Sequence, residues 1–307
     1  MTVWPFAFGV FISSSCSLHL VSCALFLVPL PAMKEVFKIG SSDELNPSQA
    51  ILLLEAGESH CCFGIVDYAN RVLVQAGYYT AVEPEAGPIM QRVIEARPEL
   101  KKPFRQTAIG YYVKENILLP AKFYHFEEVQ TLLCAMYDTD QNVAISEAVP
   151  EWQLFNAYNV PQGLHQVLSR HFATGNFWHA YSITLKNGTI KDDSDKLLIE
   201  FQTDCFSVIA IKNNTLLLAQ LYPYVRAEDI LYWLLKICKE SSLSQDTVNL
   251  ILSGLIDNQS AALKKMYQYF ANIEFSNPEN GIRLSADFSE YPVHFFSSLF
   301  NLASCVS

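Results

Sequence analysis

The strongest constraint on the fold is an internal repeat of a three-strand pattern. Each copy contains three short apolar segments at similar spacing, residues 52–55, 62–66 and 70–76 in the first copy and residues 197–200, 205–209 and 213–219 in the second. Their lengths and apolar content are typical of consecutive strands joined by tight turns. A repeated supersecondary unit predicts a chain built from two similar halves.

Matching residues strengthen the comparison between the two copies. Cys62 and Phe63 in the first copy occupy the same register as Cys205 and Phe206 in the second. The last turn of each copy carries an asparagine, Asn70 or Asn213. Because asparagine tolerates the left-handed backbone that tight hairpins require, both asparagines are predicted to adopt it.

The segments after the two copies also correspond. Apolar residues at helical spacing predict a helix around 89–94, which Pro98 ends, and a second helix over 230–238. Residues 247–252 then read as a buried strand that ends at Ser253 and Gly254. The remaining segments predict an amphipathic helix that buries Ala262, Leu263, Met266, Tyr267 and Phe270, a strand at 272–275 and a closing helix at 293–302.

The first half carries additional material. Residues 107–113 and 117–120 resemble a hairpin inserted before a helix at 126–136. Strands are predicted at 143–145 and 152–158, and Pro161 is placed to open another helix. The polar stretch 186–195, rich in Asn, Gly, Lys and Asp, is the predicted boundary between the halves.

Three antiparallel strands followed by alternating helices and strands, present twice, resemble the actin-like ATPase superfamily. More narrowly the chain is similar to family 3822 of domains of unknown function (DUF3822), uncharacterised bacterial proteins, through residues 206–209, the 104–120 hairpin and residues 156–172. The resemblance implies an α/β fold of duplicated ribonuclease-H-like halves with mixed sheets and a central cleft. The predicted domains are an apolar leader (1–34), a first half with the inserted hairpin (35–190) and a second half (191–307).

The resemblance also indicates where a nucleotide would lie. Active members grip phosphates and position a metal with an Asp-x-Gly turn in each half, and they pack adenosine against a Gly-Gly turn. The matching candidates here are Glu55 and Gly57, Asp204, and Ser253 with Gly254. The second turn has no glycine, so its side chains would obstruct a phosphate. Under the alternative interpretation the glycines only serve tight turns, and Glu55 and Glu200 face water.

The degenerate turns favour a non-hydrolysing protein that acts as a binding or scaffolding module, with no cofactor and no catalytic residue or metal ligand assigned. The alternative is an active ATPase or small-molecule kinase that uses ATP and magnesium through non-standard phosphate loops. Motifs for serine hydrolases, P-loop enzymes and zinc proteases are absent from the sequence. The spacing of His165, His171 and His179 predicts surface or partly packed histidines rather than a base or ligand.

Charge and cysteine content bear on partners and location. With 21 basic and 31 acidic residues the net charge is −10, which disfavours nucleic acid as a partner and leaves an unknown protein partner. The eight cysteines are scattered, mostly within apolar runs, which indicates small core residues in a reducing cytoplasm.

Residues 1–32 carry no charge, and three interpretations of them remain open. The first is a misassigned start, with translation beginning at Met33. The second is a membrane anchor, which would make the protein a membrane-associated assembly platform. The third is a bacterial lipoprotein signal ending at Cys23. Membrane association is expected only if this segment is real.

Overall fold

A computed structural model of the chain describes residues 33–81, 86–139, 142–186, 194–277 and 281–306. Residues 1–32 of the predicted leader and most of the predicted 186–195 boundary lie outside these residues, whereas Met33 and Lys34 begin β1. The strands, in chain order, are β1 Met33–Gly40, β2 Ala50–Gly57, β3 His60–Asp67, β4 Val72–Ala81, β5 Gln106–Tyr112, β6 Asn116–Pro120, β7 Val143–Val149, β8 Leu154–Val160, β9 Asn176–His179, β10 Lys196–Phe201, β11 Cys205–Lys212, β12 Thr215–Pro223, β13 Asn249–Gly254, β14 Asn272–Phe275 and β15 Arg283–Leu284. The α-helices are α1 Ala86–Ala96, α2 Val129–Tyr137, α3 Gln162–His171, α4 Ala180–Lys186, α5 Ala227–Glu240, α6 Ala261–Met266 and α7 Ser297–Ser304.

The two large sheets repeat one strand order, which confirms the predicted fold class. The first sheet runs β1-β4-β3-β2-β5-β9, with β15 added beside β4, and the second runs β12-β11-β10-β13-β14. In both, the central strand pairs antiparallel with the next strand of its meander and parallel with a later strand that follows a helix. β2 and β10 therefore hold equivalent positions, as the sequence repeat predicts.

The central strand of the first sheet is apolar along nearly its whole length. β2 reads AILLLEAG, and all eight residues are buried. Such a run is typical of a strand covered on both faces. Leu52 and Leu54 face a core that contains α1 and α3, whereas Ile51 and Leu53 face a second core that contains α7.

The helical predictions are confirmed with one exception. α1 buries Ile89, Met90, Val93 and Ile94, and α5 buries Ile230, Leu234, Ile237 and Cys238. Near α6, Leu263, Met266 and Phe270 are buried as predicted, but Tyr267 is 55% exposed. α6 ends at Met266, so the apolar stripe does not continue through Tyr267.

The predicted hairpin at 107–120 is wrong. β5 pairs with β2 and β9 in the first sheet, whereas β6 pairs with β8 in a separate three-stranded sheet ordered β6-β8-β7. β5 is thus the parallel fourth strand of the repeated fold, and the inserted material is β6, α2, β7 and β8. Spacing alone suggested a hairpin because two short strands lie only three residues apart.

The prediction for the two turn asparagines holds for only one of them. Asn213 and its neighbour Asn214 both have positive φ, at 47° and 58°. In the first copy Arg71 takes the left-handed conformation instead, with φ of 52°. Asn70 donates its side-chain amide to Asp67 at 2.7 Å, so this turn is held by a side-chain hydrogen bond.

The C-terminal segment returns to the first half. β15 pairs in parallel with β4, and α7 packs Leu299, Phe300 and Leu302 against the core that contains Ile51 and Leu53. A three-residue-per-turn helix, Val293–Phe296, leads into α7, close to the predicted closing helix. The division of the chain at residues 190 and 191 stays a prediction, and residues 283–304 contact the first sheet across it.

The buried cysteines give a first test of the fold. Cys61 and Cys62 are buried, and burial raises the pKa of both thiols. We expect iodoacetamide to modify them far more slowly than the partly exposed Cys134 in the folded protein, because the thiolate is the nucleophile. Peptide mass spectrometry would measure the three rates. Equal labelling before unfolding would contradict the buried positions of β3.

In the part of the chain that the structure describes, no helix combines the length and the apolar character needed to cross a membrane.

Candidate functional site

Polar side chains collect on the face of the first sheet that points toward the second half. Glu55, Cys62 and Tyr78 are paired across β2, β3 and β4, and paired residues point to the same face. His60 lies two residues from Cys62 on β3, and Tyr112 on β5 is opposite Gly57. The pleat of four neighbouring strands therefore assembles one row of polar groups.

The second sheet presents the matching residues. Glu200 on β10 is paired with Ser207 on β11 and with Ser253 on β13, so all three share one face. The duplicated architecture thus brings Glu55 and Glu200, the equivalent carboxyl groups of the two halves, to the same junction. Ser298, in the first turn of α7, lies beside both carboxyl groups, and its hydroxyl lowers the pKa of each.

Glu55 does not face water, contrary to the prediction, and Glu200 is half-buried. Glu55 is 4% exposed, and Tyr112 donates its hydroxyl to Glu200 Oε1 at 3.1 Å. Burial, reinforced by the charge of Glu200, raises the pKa of Glu55 to about 8. Burial likewise raises the pKa of Glu200 to about 7. At neutral pH the pair therefore keeps at least one proton, since two adjacent buried carboxylates repel each other.

Nothing in the described residues neutralises this pair by ion pairing. The ion pairs found there involve other carboxylates. Oε1 of Glu55 also has no hydrogen-bond partner within the described ranges. A buried acceptor without a donor costs about 1–3 kcal/mol, which is consistent with a Glu55 that is protonated rather than ionised.

His60 occupies the space in front of the first candidate phosphate turn. A side chain at Gly57 would lie 2.5 Å from His60 Cε1, so the imidazole already fills that space. The ring stacks on Tyr78, with 5.5 Å between centroids, and meets the Tyr112 ring edge-on at 5.3 Å. Burial lowers the pKa of His60 to about 4, so the ring is neutral at pH 7.

The two candidate phosphate hairpins touch each other. Ser59 in the first donates its hydroxyl to Asp204 Oδ1 in the second at 3.2 Å. Beside this contact, the hydroxyl oxygens of Thr80 and Thr203 are 3.4 Å apart. Asp204 therefore uses a carboxylate oxygen to hold the hairpins together.

The third candidate turn keeps its glycine for a backbone reason. Gly254 has φ of +74°, and a Cβ there would lie 2.2 Å from the carbonyl oxygen of Phe201. Ser253 precedes it at the end of β13 and donates its hydroxyl to the carbonyl of Ile199 at 3.3 Å. The turn is built for close backbone packing between β10 and β13.

The five candidate residues thus lie around one junction, but they do not fit a triphosphate as arranged here. The hairpins are in contact, His60 fills the space before Gly57, and two carboxyl groups stand where an anion would need donors. No reaction step through a nucleotide or its metal is derived from this geometry. Their assignment as a degenerate nucleotide cleft stays a prediction.

Sequence reasoning missed several members of this site. His60, Tyr78, Tyr112 and Ser298 were not among the candidates. A usable signal existed for Glu55, because it is the only charged residue in a strand apolar on both faces. For Ser298 no local signal existed, since α7 reaches the junction only through the tertiary fold.

The sequence prediction also concerned His165, His171 and His179, which differ in burial: His165 is partly buried and His171 is exposed, as predicted. His179 is fully buried, which contradicts the prediction of a surface or partly packed residue. One ring nitrogen of His179 lies 3.1 Å from the Val113 carbonyl and the other accepts the Tyr181 amide. His165 lies 2.8 Å from the Tyr111 hydroxyl. Each is explained by local hydrogen bonds or packing.

The family model for DUF3822, described as a protein of unknown function, matches residues 41–273. The chain belongs to this family. The match includes both meanders, the inserted sheet, and the Glu55 and Glu200 positions. It ends before α7, which supplies Ser298 to the site.

Solved structures place this DUF3822 protein in the actin-like ATPase fold. A Bacteroides thetaiotaomicron protein with that fold and unknown function is 14% identical, has a TM-score of 0.67, and aligns over 85% of this chain and 99% of its own. A PilM–PilN type IV pilus biogenesis complex is 12% identical, with a TM-score of 0.53 over 85% of this chain and 100% of the other. None of the curated proteins compared with the chain matches it.

Proposed function

We propose that this DUF3822 protein is a non-hydrolysing member of the actin-like fold that works as a binding or scaffolding module. The observation that carries the proposal is the direct contact between the two candidate phosphate hairpins, Ser59 with Asp204, beside which Thr80 of β4 contacts Thr203. The buried Glu55 and Glu200 add to it, because a triphosphate beside them would meet negative or neutral acids instead of donors.

A protein partner is the second part of the proposal. Three large apolar side chains are exposed around the inserted sheet, Phe123 at 62%, Phe126 at 77% and Met136 at 58%. Exposed large apolar side chains are candidates for a protein interaction surface where they form a patch. One similar fold was solved as the PilM–PilN complex, which is consistent with such folds holding partners. The six described cysteines are free thiols, which supports a cytoplasmic location.

Calorimetry with magnesium and ATP tests the loss of nucleotide chemistry. We expect no binding heat at millimolar ATP and no phosphate release, because the hairpins leave no space for phosphate oxygens. Cooperative unfolding of the same sample is the control, because it shows that the protein used in the calorimetry was folded. Micromolar binding of ATP would contradict the proposal and support the ATPase or kinase alternative.

A further inference from the structure

A cavity of about 300 Å³ lies between the second sheet and the C-terminal helix. Its walls include Glu200, Ser207 and Ser253 from the sheet and Ser298 and Asn301 from α7. Small-molecule pockets start near this volume, so the cavity has room for a compact ligand. It is distinct from the closed contact between the hairpins.

The charge of the walls selects the class of ligand. Two lining residues are acidic, Glu200 on the inner wall and the exposed Glu274 at the rim, and no lysine, arginine or histidine lines the cavity among the described residues. Serine, threonine and asparagine oxygens supply further acceptors. A phosphate or carboxylate there would lack a cationic partner, whereas an ammonium group would gain charge-assisted hydrogen bonds.

Glu200 and Phe275 make the site more specific for a cation. Glu200 already accepts a hydrogen bond from Tyr112, which fixes the carboxyl group in place. Its neighbour Glu55 has the higher pKa, about 8, and therefore holds the proton of the pair, which leaves the negative charge to Glu200. Phe275 lines the same cavity, and an aromatic face attracts cations.

We propose that this cavity binds a small organic cation carrying a primary ammonium group, held by Glu200 with Glu274 at the entrance. The ligand forms ion pairs and hydrogen bonds only, with no covalent step. The inference extends beyond the scaffolding function, since a bound cation would fix α7 against the second sheet.

The test uses three four-carbon probes of similar length, 1,4-diaminobutane, 1,4-butanediol and succinate, in calorimetry with the full chain. We expect saturable binding of the diamine only, weakened about tenfold or more by Glu200→Gln, because a charged hydrogen bond is lost. Glu274→Gln should weaken it less, and Ser253→Leu should block it by filling the cavity. Glu240→Gln, which alters an exposed carboxylate paired with Lys236, is the matched control.

Several outcomes would overturn the inference. Equal binding of diol and diamine would show that charge does not select the ligand. Diamine binding that survives both Glu200→Gln and Ser253→Leu would place it on the acidic surface. No diamine heat at millimolar concentration would also refute it. If Glu200→Gln fails to fold, the diamine affinities of Ser253→Leu and Glu274→Gln show whether the diamine binds in the cavity. A negative result with the diamine does not bear on the ATP experiment, so the cation site can be refuted while the proposed function stands, and the reverse is also possible.

Discussion

Replacement of Gly254 by alanine is expected to destabilise the protein by about 3 kcal/mol or more. The left-handed backbone at φ +74° costs an L-residue about 1–2 kcal/mol. In addition, the new Cβ would lie 2.2 Å from the Phe201 carbonyl oxygen, so β10 and β13 would have to separate. That separation would disturb the parallel pairing of Glu200 with Ser253.

Urea unfolding monitored by circular dichroism measures this effect. Gly163→Ala is the matched control, because a Cβ at Gly163 in α3 meets nothing within 4 Å. We expect Gly163→Ala to leave stability unchanged or to raise it by about 0.5–1 kcal/mol, since alanine favours helix. If Gly254→Ala unfolds at the same urea concentration as the wild type, the described turn is wrong.

Glu55→Gln is expected to remove most of the loss of stability between about pH 6.5 and 8. The folded-state pKa of Glu55, about 8, lies above its ordinary value, so the folded protein holds a proton that the unfolded chain releases. Stability is then greatest below the unfolded pKa and falls as pH rises toward the folded pKa. The slope approaches about 1.4 kcal/mol for each pH unit and each proton held.

The pH window is chosen to separate carboxyl groups from histidines. Burial lowers the pKa of His60 to about 4 and of His179 to about 3, so these residues make stability fall as pH drops below about 6.5. Between about pH 4.5 and 6.5 the two effects oppose each other. Above that range, up to about pH 8, the carboxyl pair makes the largest change in protonation relative to the unfolded chain; the buried thiols contribute only as the pH approaches their ordinary pKa.

Urea unfolding at several pH values measures the slope for each variant. Glutamine keeps the size of the neutral acid, so Glu55→Gln should be more stable than the wild type near pH 8. Glu200→Gln should also reduce the loss of stability with rising pH, whereas Glu240→Gln, which changes an exposed carboxylate, should leave that loss unchanged. A wild-type slope retained in Glu55→Gln would show that the pair is not protonated in the folded protein.

Much of the fold could be predicted because it depends on local patterns. The alternation and length of residues 62–66 and 205–209 identified both meanders, and the spacing of Ile230, Leu234 and Cys238 identified α5. The failures were pairings between distant segments. β5 and β6 are close in sequence, yet β5 pairs with β2 more than fifty residues earlier, and nothing in the spacing of 107–120 encodes that choice.

The candidate site was predicted only in part, for a related reason. The resemblance to the actin-like superfamily identified Glu55, Gly57 and Asp204 as phosphate-turn candidates and Ser253 and Gly254 as the adenosine-turn candidates, and the structure brings them to one junction. Their surroundings could not be derived, because His60 is held by stacking on Tyr78 and by an edge-on contact with Tyr112, which belong to two other strands. The expectation that Glu55 faces water ignored that β2 is apolar on both faces.

The amino-acid sequence by itself determined that this chain contains two similar halves, because strand and helix periodicities and their repetition are local properties. Only the tertiary structure decided what lies between the halves. The junction brings together residues that lie about a hundred or more positions apart in the sequence. Glu55 approaches Glu200, Ser59 contacts Asp204, and Ser298 lies beside the two carboxyl groups. Burial at that junction, rather than residue type, gives the carboxyl groups their raised pKa values.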